Sequence, residues 1–317
     1  MKTNNALLHL LPCIIIASLL LTECEDSGNG GLVPLDEDGC ISLQGQITVD
    51  GLQRTFILDL PPRYYDSTGF DLVVALHGTG GSGKQSKRDY GWSAKAAREG
   101  FIVVYPEGVR SRGPLGIRTW NAGGCCGYAQ ESQVNDVKFI STLIDYLTDS
   151  YRVNRKRVYV TGMSNGAMLS YRLACEIPGK IAAIAPVSGT LITVAPCTPS
   201  RPVPLLHIHS ALDTLVPYEG GIGIGGYYFP PVDSALQLWA RIDSCTSALE
   251  TITDNEKYTA IRWAGCREGS SVMRYLTKDG GHAWPGGLKS RPGADAPSTA
   301  INATDVIWDF FHQYALP

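Results

Sequence analysis

Residues 157–174 hold the feature that most narrows what this chain can fold into. Arg157-Val158-Tyr159-Val160-Thr161 leads into Gly162-Met163-Ser164-Asn165-Gly166, and Ala167-Met168-Leu169-Ser170-Tyr171-Arg172-Leu173-Ala174 follows. The first flank is β-branched and aromatic, which predicts a short buried strand. The second is rich in Ala, Leu and Met and predicts a helix. Ser164 then falls on a sharp strand-to-helix turn, with glycine two residues to either side because a strained turn leaves no room for side chains there. Such a turn presents a hydroxyl for nucleophilic attack. The five-residue pattern alone is common in a chain with 35 glycines; the strand and helix around it give it weight.

The rest of the chain repeats the alternation. Gln44 to Leu60 alternates about Asp50-Gly51, a β-hairpin signal. Leu72 to Leu76 is a continuous apolar run, expected of a strand buried on both faces, and it ends in His77-Gly78-Thr79-Gly80-Gly81. A helix over about 84–99, a strand at 101–105, an irregular loop with Trp120 and Cys125-Cys126, and a helix over 134–151 follow. Beyond the serine turn come strands at 181–187 and 204–209, a helix near 233–242, a strand at 271–277 and a last helix at about 302–314. Strands alternating with helices predict an α/β fold, a doubly wound, mostly parallel sheet with the leading hairpin added antiparallel. Sites in such sheets gather at the carboxyl ends of the strands.

Charged residues are 18% of the 317 and the net charge is -3, with no basic stripe, which argues against a nucleic-acid partner. Lys2 and the apolar run Ala6–Leu21 predict an export segment over 1–24, too short for a convincing membrane span. Leu21-Thr22-Glu23-Cys24 resembles a bacterial lipoprotein cleavage box, departing from it at Glu23, and marks Cys24 as a candidate lipid anchor. Residues 25–40, acidic and glycine-rich, read as a solvated tether, and 41–317 as one catalytic domain. Asp36-Glu37-Asp38-Gly39 lacks the spacing of a calcium loop.

Export sets the reading of the cysteines. Seven of the nine lie beyond Cys24, so most should pair and at least one thiol stays free. Cys245 and Cys266 flank one local excursion and are the preferred pair. Cys125-Cys126 has no Cys-x-x-Cys partner or nearby histidine, so no metal is expected.

A serine hydroxyl needs a base to take its proton and an acid to orient that base. Of six histidines, His9 is in the export segment, His312 in the last helix, His77 at the start of the glycine loop, and His207 and His209 on one face of a strand, where satisfied core histidines are common. His282, in Gly280-Gly281-His282-Ala283-Trp284-Pro285-Gly286-Gly287, alone follows a strand in a glycine-rich loop. Asp213 follows the 204–209 strand and precedes Val216-Pro217. The order Ser164, Asp213, His282 is that of an α/β-hydrolase. The amide of Asn165 and one from the loop after Leu76, Thr79, are the expected oxyanion donors.

On these residues the chain, from about Leu43 onward, resembles secreted poly(3-hydroxybutyrate) depolymerase-like esterases, related to feruloyl and acetylxylan esterases of carbohydrate esterase family 1. The matching blocks are Leu76 to Gly81, Trp120-Asn121-Ala122-Gly123 with Cys125-Cys126-Gly127, and Asp136-Val137 with Phe139. They continue with Gly162 to Met168, His207-Ile208-His209 with Asp213 and Val216-Pro217-Tyr218, and Gly280 to Gly287. The resemblance implies an α/β-hydrolase fold, serine esterase chemistry and no cofactor, and it supports the Cys245–Cys266 pair. The sequence departs from the family at Ser210, where glycine is usual. Trp120, Tyr228 and Trp284 are the expected substrate contacts, an aromatic wall for a feruloyl ring or a polyester chain, against packing of the same rings onto the domain. The substrate is then a feruloyl or acetyl ester of plant polysaccharide or a hydroxyalkanoate polyester. A serine peptidase and a non-catalytic glycan- or polymer-binding surface lipoprotein are the alternatives.

Overall fold

The computed structural model describes residues 34–317, so the expected export segment, Cys24 and most of the tether lie outside the described residues. In chain order, the hairpin β1 (Ile41–Val49) and β2 (Leu52–Leu60) leads into β3 (Phe70–Leu76), α1 (Gly83–Tyr90), α2 (Trp92–Glu99) and β4 (Ile102–Pro106). The short β5 (Val109–Arg110) and β6 (Arg118–Thr119), α3 (Gly127–Glu131) and α4 (Asp136–Ser150) follow, then β7 (Val153–Met163), α5 (Asn165–Glu176), β8 (Ala183–Val187) and β9 (Leu205–Ser210). The short β10 (Gly221–Ile222) and β11 (Tyr228–Phe229) precede α6 (Val232–Ile242), β12 (Glu250–Asp254), β13 (Tyr258–Trp263), β14 (Val272–Thr277) and α7 (Ala303–Phe311).

Ten strands form one sheet in the order β1-β2-β4-β3-β7-β8-β9-β14-β13-β12. The six from β4 to β14 run parallel and antiparallel strands cap both edges. The middle strands are buried on both sides, and alternate residues serve opposite layers. Leu72, Val74, Leu76, Val158 and Val160 pack toward α4 and α5. Val73, Ala75, Val103 and Tyr159 face α2 and α7. That two-sided burial is why these strands read as apolar runs without alternation.

Three features differ from the sequence reading. The helix expected over 84–99 is two helices broken at Gly91, whose φ of 75° ends α1. The segment between Cys245 and Cys266 holds β12 and β13, a hairpin extending the sheet beyond β14. The end of the tether is folded onto the domain: Asp36 accepts from the Cys40 amide and pairs with Lys87, and Cys40 is buried.

Disulfides join Cys175 to Cys197, Cys245 to Cys266 and the neighbours Cys125 and Cys126; Cys40 is the free thiol among the described residues.

Candidate active site

β7 delivers Ser164 at φ 57° and ψ −119°, a conformation that L residues rarely adopt. Its amide donates to the Val187 carbonyl at 2.9 Å, and its carbonyl accepts from Met168 at 3.0 Å as α5 begins. The flanking glycines are required by contact. A Cβ on Gly162 would stand 2.7 Å from the Gly166 backbone, and one on Gly166 would stand 2.6 Å from the carbonyl oxygens of both Leu76 and His77. β3 and β7 can therefore bring the 77–81 loop against Ser164 only with glycine at both positions.

Asp213 leaves β9 in a tight turn. Its Oδ1 accepts from the amides of Leu215 and Val216, each at 2.9 Å, and its Oδ2 accepts from His282 Nδ1 at 2.7 Å. Burial works to raise the carboxyl pKa, but the hydrogen bonds from His209 and His282 hold it below the usual carboxylate range. The ionised carboxylate fixes the proton on Nδ1 of His282, leaving Nε2 as the acceptor.

The His282 loop is braced by a segment without motif character. The His282 amide donates to Asp295 Oδ2 at 2.7 Å, the Gly281 amide donates to Ala296 O, and the Asp279 carboxylate accepts from Ser298 and Thr299. Ser210, the family departure, is a cross-tie. Its hydroxyl lies 3.1 Å from the Asp279 carbonyl and 3.2 Å from that of Gly280, and it accepts from the Leu212 amide at 3.1 Å. The turn carrying Asp213 is thereby tied to the loop carrying His282.

Ser164 and His282 line the same open cleft of about 550 Å³ together with Gly78 and Thr79. Among the described residues no hydrogen bond joins the serine hydroxyl to the imidazole; in unliganded sites this contact commonly tightens only with substrate. The amide of Asn165, first residue of α5, has no intrahelical acceptor. In the opposite loop the Gly80 and Gly81 amides are taken by the carbonyls of Arg118 and Gly78, while Thr79 borders the cleft. The Asn165 side chain accepts from the Trp120 amide at 2.6 Å and donates to its carbonyl at 3.0 Å, locking the residue after the serine. His77 Nδ1 meets the Gly78 carbonyl at 2.8 Å and Nε2 accepts from the Gly108 amide at 3.0 Å, which seats the loop.

The expected aromatic wall is not formed. Trp120 is fully buried and away from the cleft, its indole N–H given to the His77 carbonyl. Tyr228 is 63% exposed on β11 and does not line the cleft. Trp284 borders the cleft but is 2% exposed, stacked on Tyr90 at 4.2 Å with its N–H given to Thr304. The two indoles pack the loops onto the domain because each N–H finds a buried acceptor that a substrate-facing pose would forfeit. Instead the cleft is walled by Gln85, Arg88 and Asp89 of α1, Arg118 of β6, and Arg291 and Asp295, with Leu215, Ile224 and Leu288 supplying apolar surface. These residues sit in no motif, so nothing in the sequence marked them.

Residues 55–212 match the family described as Esterase PHB depolymerase. The chain is 29% identical over 250 residues to a bifunctional acetylxylan esterase/xylanase of Neocallimastix patriciarum, covering 77% of this chain and 31% of that protein. It is 26% identical over 272 residues to feruloyl esterase B of Piromyces equi, covering 83% and 46%. A probable feruloyl esterase C of Aspergillus clavatus is 28% identical over 95% of this chain and 99% of its own length. The chain thus spans less than half the length of the first two relatives. An acetyl xylan esterase from Aspergillus awamori superposes with a TM-score of 0.59 over 85% of this chain and 98% of that one, at 16% identity, a likeness of fold. The ten-stranded sheet, the serine turn at the end of β7 and the match over 55–212 place the chain in the PHB depolymerase-like esterase family, on the α/β-hydrolase fold.

Proposed function

We propose that the protein is a serine carboxylic-ester hydrolase in which Ser164 is the nucleophile, His282 the base and Asp213 the acid that orients it. The observation that carries this reading is the 2.7 Å hydrogen bond from His282 Nδ1 to Asp213, beside a serine held at φ 57° in the same cleft. Ser164 Oγ attacks the ester carbonyl as His282 Nε2 takes its proton, and the resulting oxyanion is met by the Asn165 and Thr79 amides. The imidazolium returns the proton to the departing alkoxide, leaving an acyl-enzyme and free alcohol. Water then attacks, giving its proton to His282, and collapse of the second tetrahedral adduct frees the acid and restores Ser164. No metal or cofactor enters these steps.

Gln85, Arg88, Arg118, Arg291 and Asp295 give the cleft a polar wall, which favours an ester of a hydroxyl-rich, carbohydrate-type alcohol over an apolar polyester. The relatives named as feruloyl and acetylxylan esterases agree with that class. Ser164→Ala should keep the fold by circular dichroism and lose p-nitrophenyl acetate hydrolysis by at least about a thousandfold. A fluorophosphonate probe should label Ser164 of the wild type alone; a variant that still turns over sinks the assignment. Methyl ferulate and acetylated xylan should be cleaved in preference to poly(3-hydroxybutyrate) and to amides of the same acids; the opposite preference overturns the substrate class.

We propose export as well, supported by three disulfides among the described residues, with acylation at Cys24. The intact mass of protein recovered from the cell envelope reads this directly. A mature chain that does not begin at Cys24, or carries no acyl mass there, rules out the anchor.

A further inference from the structure

Asp213 has a second imidazole on the oxygen that His282 uses. His209 Nε2 lies 3.3 Å from Asp213 Oδ2 and 2.9 Å from the carbonyl of Val216, the residue whose own amide donates to Asp213 Oδ1. Both partners of Nε2 accept, so this nitrogen carries a proton. Behind it, His209 Nδ1 is 3.0 Å from His207 Nε2, and His207 Nδ1 is 2.9 Å from the Tyr171 hydroxyl. Tyr171, His207 and His209 are all fully buried. One proton assignment satisfies every contact with both rings neutral: Tyr171 O–H donates to His207 Nδ1, His207 Nε2–H donates to His209 Nδ1, and His209 Nε2–H is shared between the Val216 carbonyl at 2.9 Å and the carboxylate at 3.3 Å. Burial presses the same way at His207, whose pKa lies well below the ordinary histidine value.

We infer that His209 is a positioning residue for the acid of the site, the end of a directed hydrogen-bond chain from Tyr171 through His207 that pins the Asp213 turn and shares its carboxylate with His282. The inference rests on the esterase reading and goes beyond it. It gives the two strand histidines a shared task that a merely satisfied core pair lacks, because the chain is polarised and its last donor reaches the oxygen that orients the base. Losing that donor leaves a buried carboxylate short of one hydrogen bond, so the His282–Asp213 pair holds a proton more tightly and the acid limb of activity moves to higher pH.

The test measures wild type, His209→Phe and His209→Gln on p-nitrophenyl acetate across pH, with circular dichroism on each and ¹⁵N NMR of the imidazoles in the wild type. His209→Phe should lower kcat about tenfold to a hundredfold, the worth of one hydrogen bond to a charged group, with KM within about twofold. Its acid limb in kcat/KM should move up, and His209→Gln, whose amide both donates and accepts, should recover most of the loss. A folded His209→Phe with wild-type kcat and acid limb overturns the inference, as does a His209→Gln no better than His209→Phe. Should His209→Phe fail to fold, the wild-type spectrum decides: both rings neutral with the proton on Nε2 supports the chain, and a proton on Nδ1 of either ring overturns it. A wild type that neither hydrolyses the ester nor takes a fluorophosphonate defeats the esterase reading instead, and the spectrum still tests the chain.

Discussion

At the scale of single residues, the site depends on strained or buried groups that cost stability where they stand. Ser164 at φ 57° carries a penalty on the order of 1–3 kcal/mol, held in place by its bonds to Val187 and Met168. His77 is a buried group whose effect on stability depends on pH. Burial, with the cations of Arg118 and Arg54, outweighs its bond to the Gly78 carbonyl and brings its pKa down to about 4 from the ordinary 6.5. The folded protein keeps it neutral while the unfolded chain takes up a proton near pH 6.5. Its contribution is therefore whole above pH 6.5, falls as the pH drops, and is gone below about 4, a total of about 3 kcal/mol. His77→Gln should flatten the fall in unfolding free energy between pH 7 and 4.5, measured in urea. An unchanged slope would place the acid sensitivity elsewhere.

At the scale of elements, the parallel core was legible because its strands are short apolar runs with glycine turns at their carboxyl ends, as in Leu72–Leu76 before His77-Gly78 and Val158–Thr161 before Gly162. The edge hairpin was not. Glu250-Thr251-Ile252-Thr253-Asp254 is mostly exposed, so burial writes no apolar pattern into it, and its partner is fixed by pairing across the sheet rather than by local preference. The break at Gly91 was missed for a related reason: helical composition continues on both sides, and only the left-handed glycine marks the corner. Within the site, Asp213 and His282, which the structure joins by a hydrogen bond, could be singled out because each follows a strand end in a turn-forming loop. The Ser210 cross-tie and the Asp295 brace escaped notice, since a serine in a strand and an aspartate in a proline-rich loop acquire those roles only from the adjacency of β9 and β14. Trp120 and Trp284 misled in the opposite direction, because an aromatic beside a catalytic motif reads the same whether it faces substrate or core.

At the scale of the whole molecule, the two ends of the sheet carry different burdens. The cleft draws its residues from α1, Arg118 of β6, the end of β7, the loops after β3, β7, β9, β10 and β14, and the segment around Arg291; none lies between Cys245 and Cys266. That pair closes a stretch of sequence separation 21 around the β12–β13 hairpin, which adjoins β14 in the sheet and is bonded at its turn to Lys278 just past β14, through Asp254 and the Lys257 carbonyl. A cross-link over such a loop restricts the unfolded chain by about 3 kcal/mol in the entropy account. Its removal should tax the fold and spare the chemistry. The double variant Cys245→Ser with Cys266→Ser is expected to lose about 3 kcal/mol of unfolding free energy in guanidinium, while kcat on p-nitrophenyl acetate stays within about twofold of wild type under native conditions. Equal stability with lost activity would reverse the division, showing that the β14 edge, and through it the His282 loop, depends on the covalent tie rather than on its own bonds to Ser210 and Asp295.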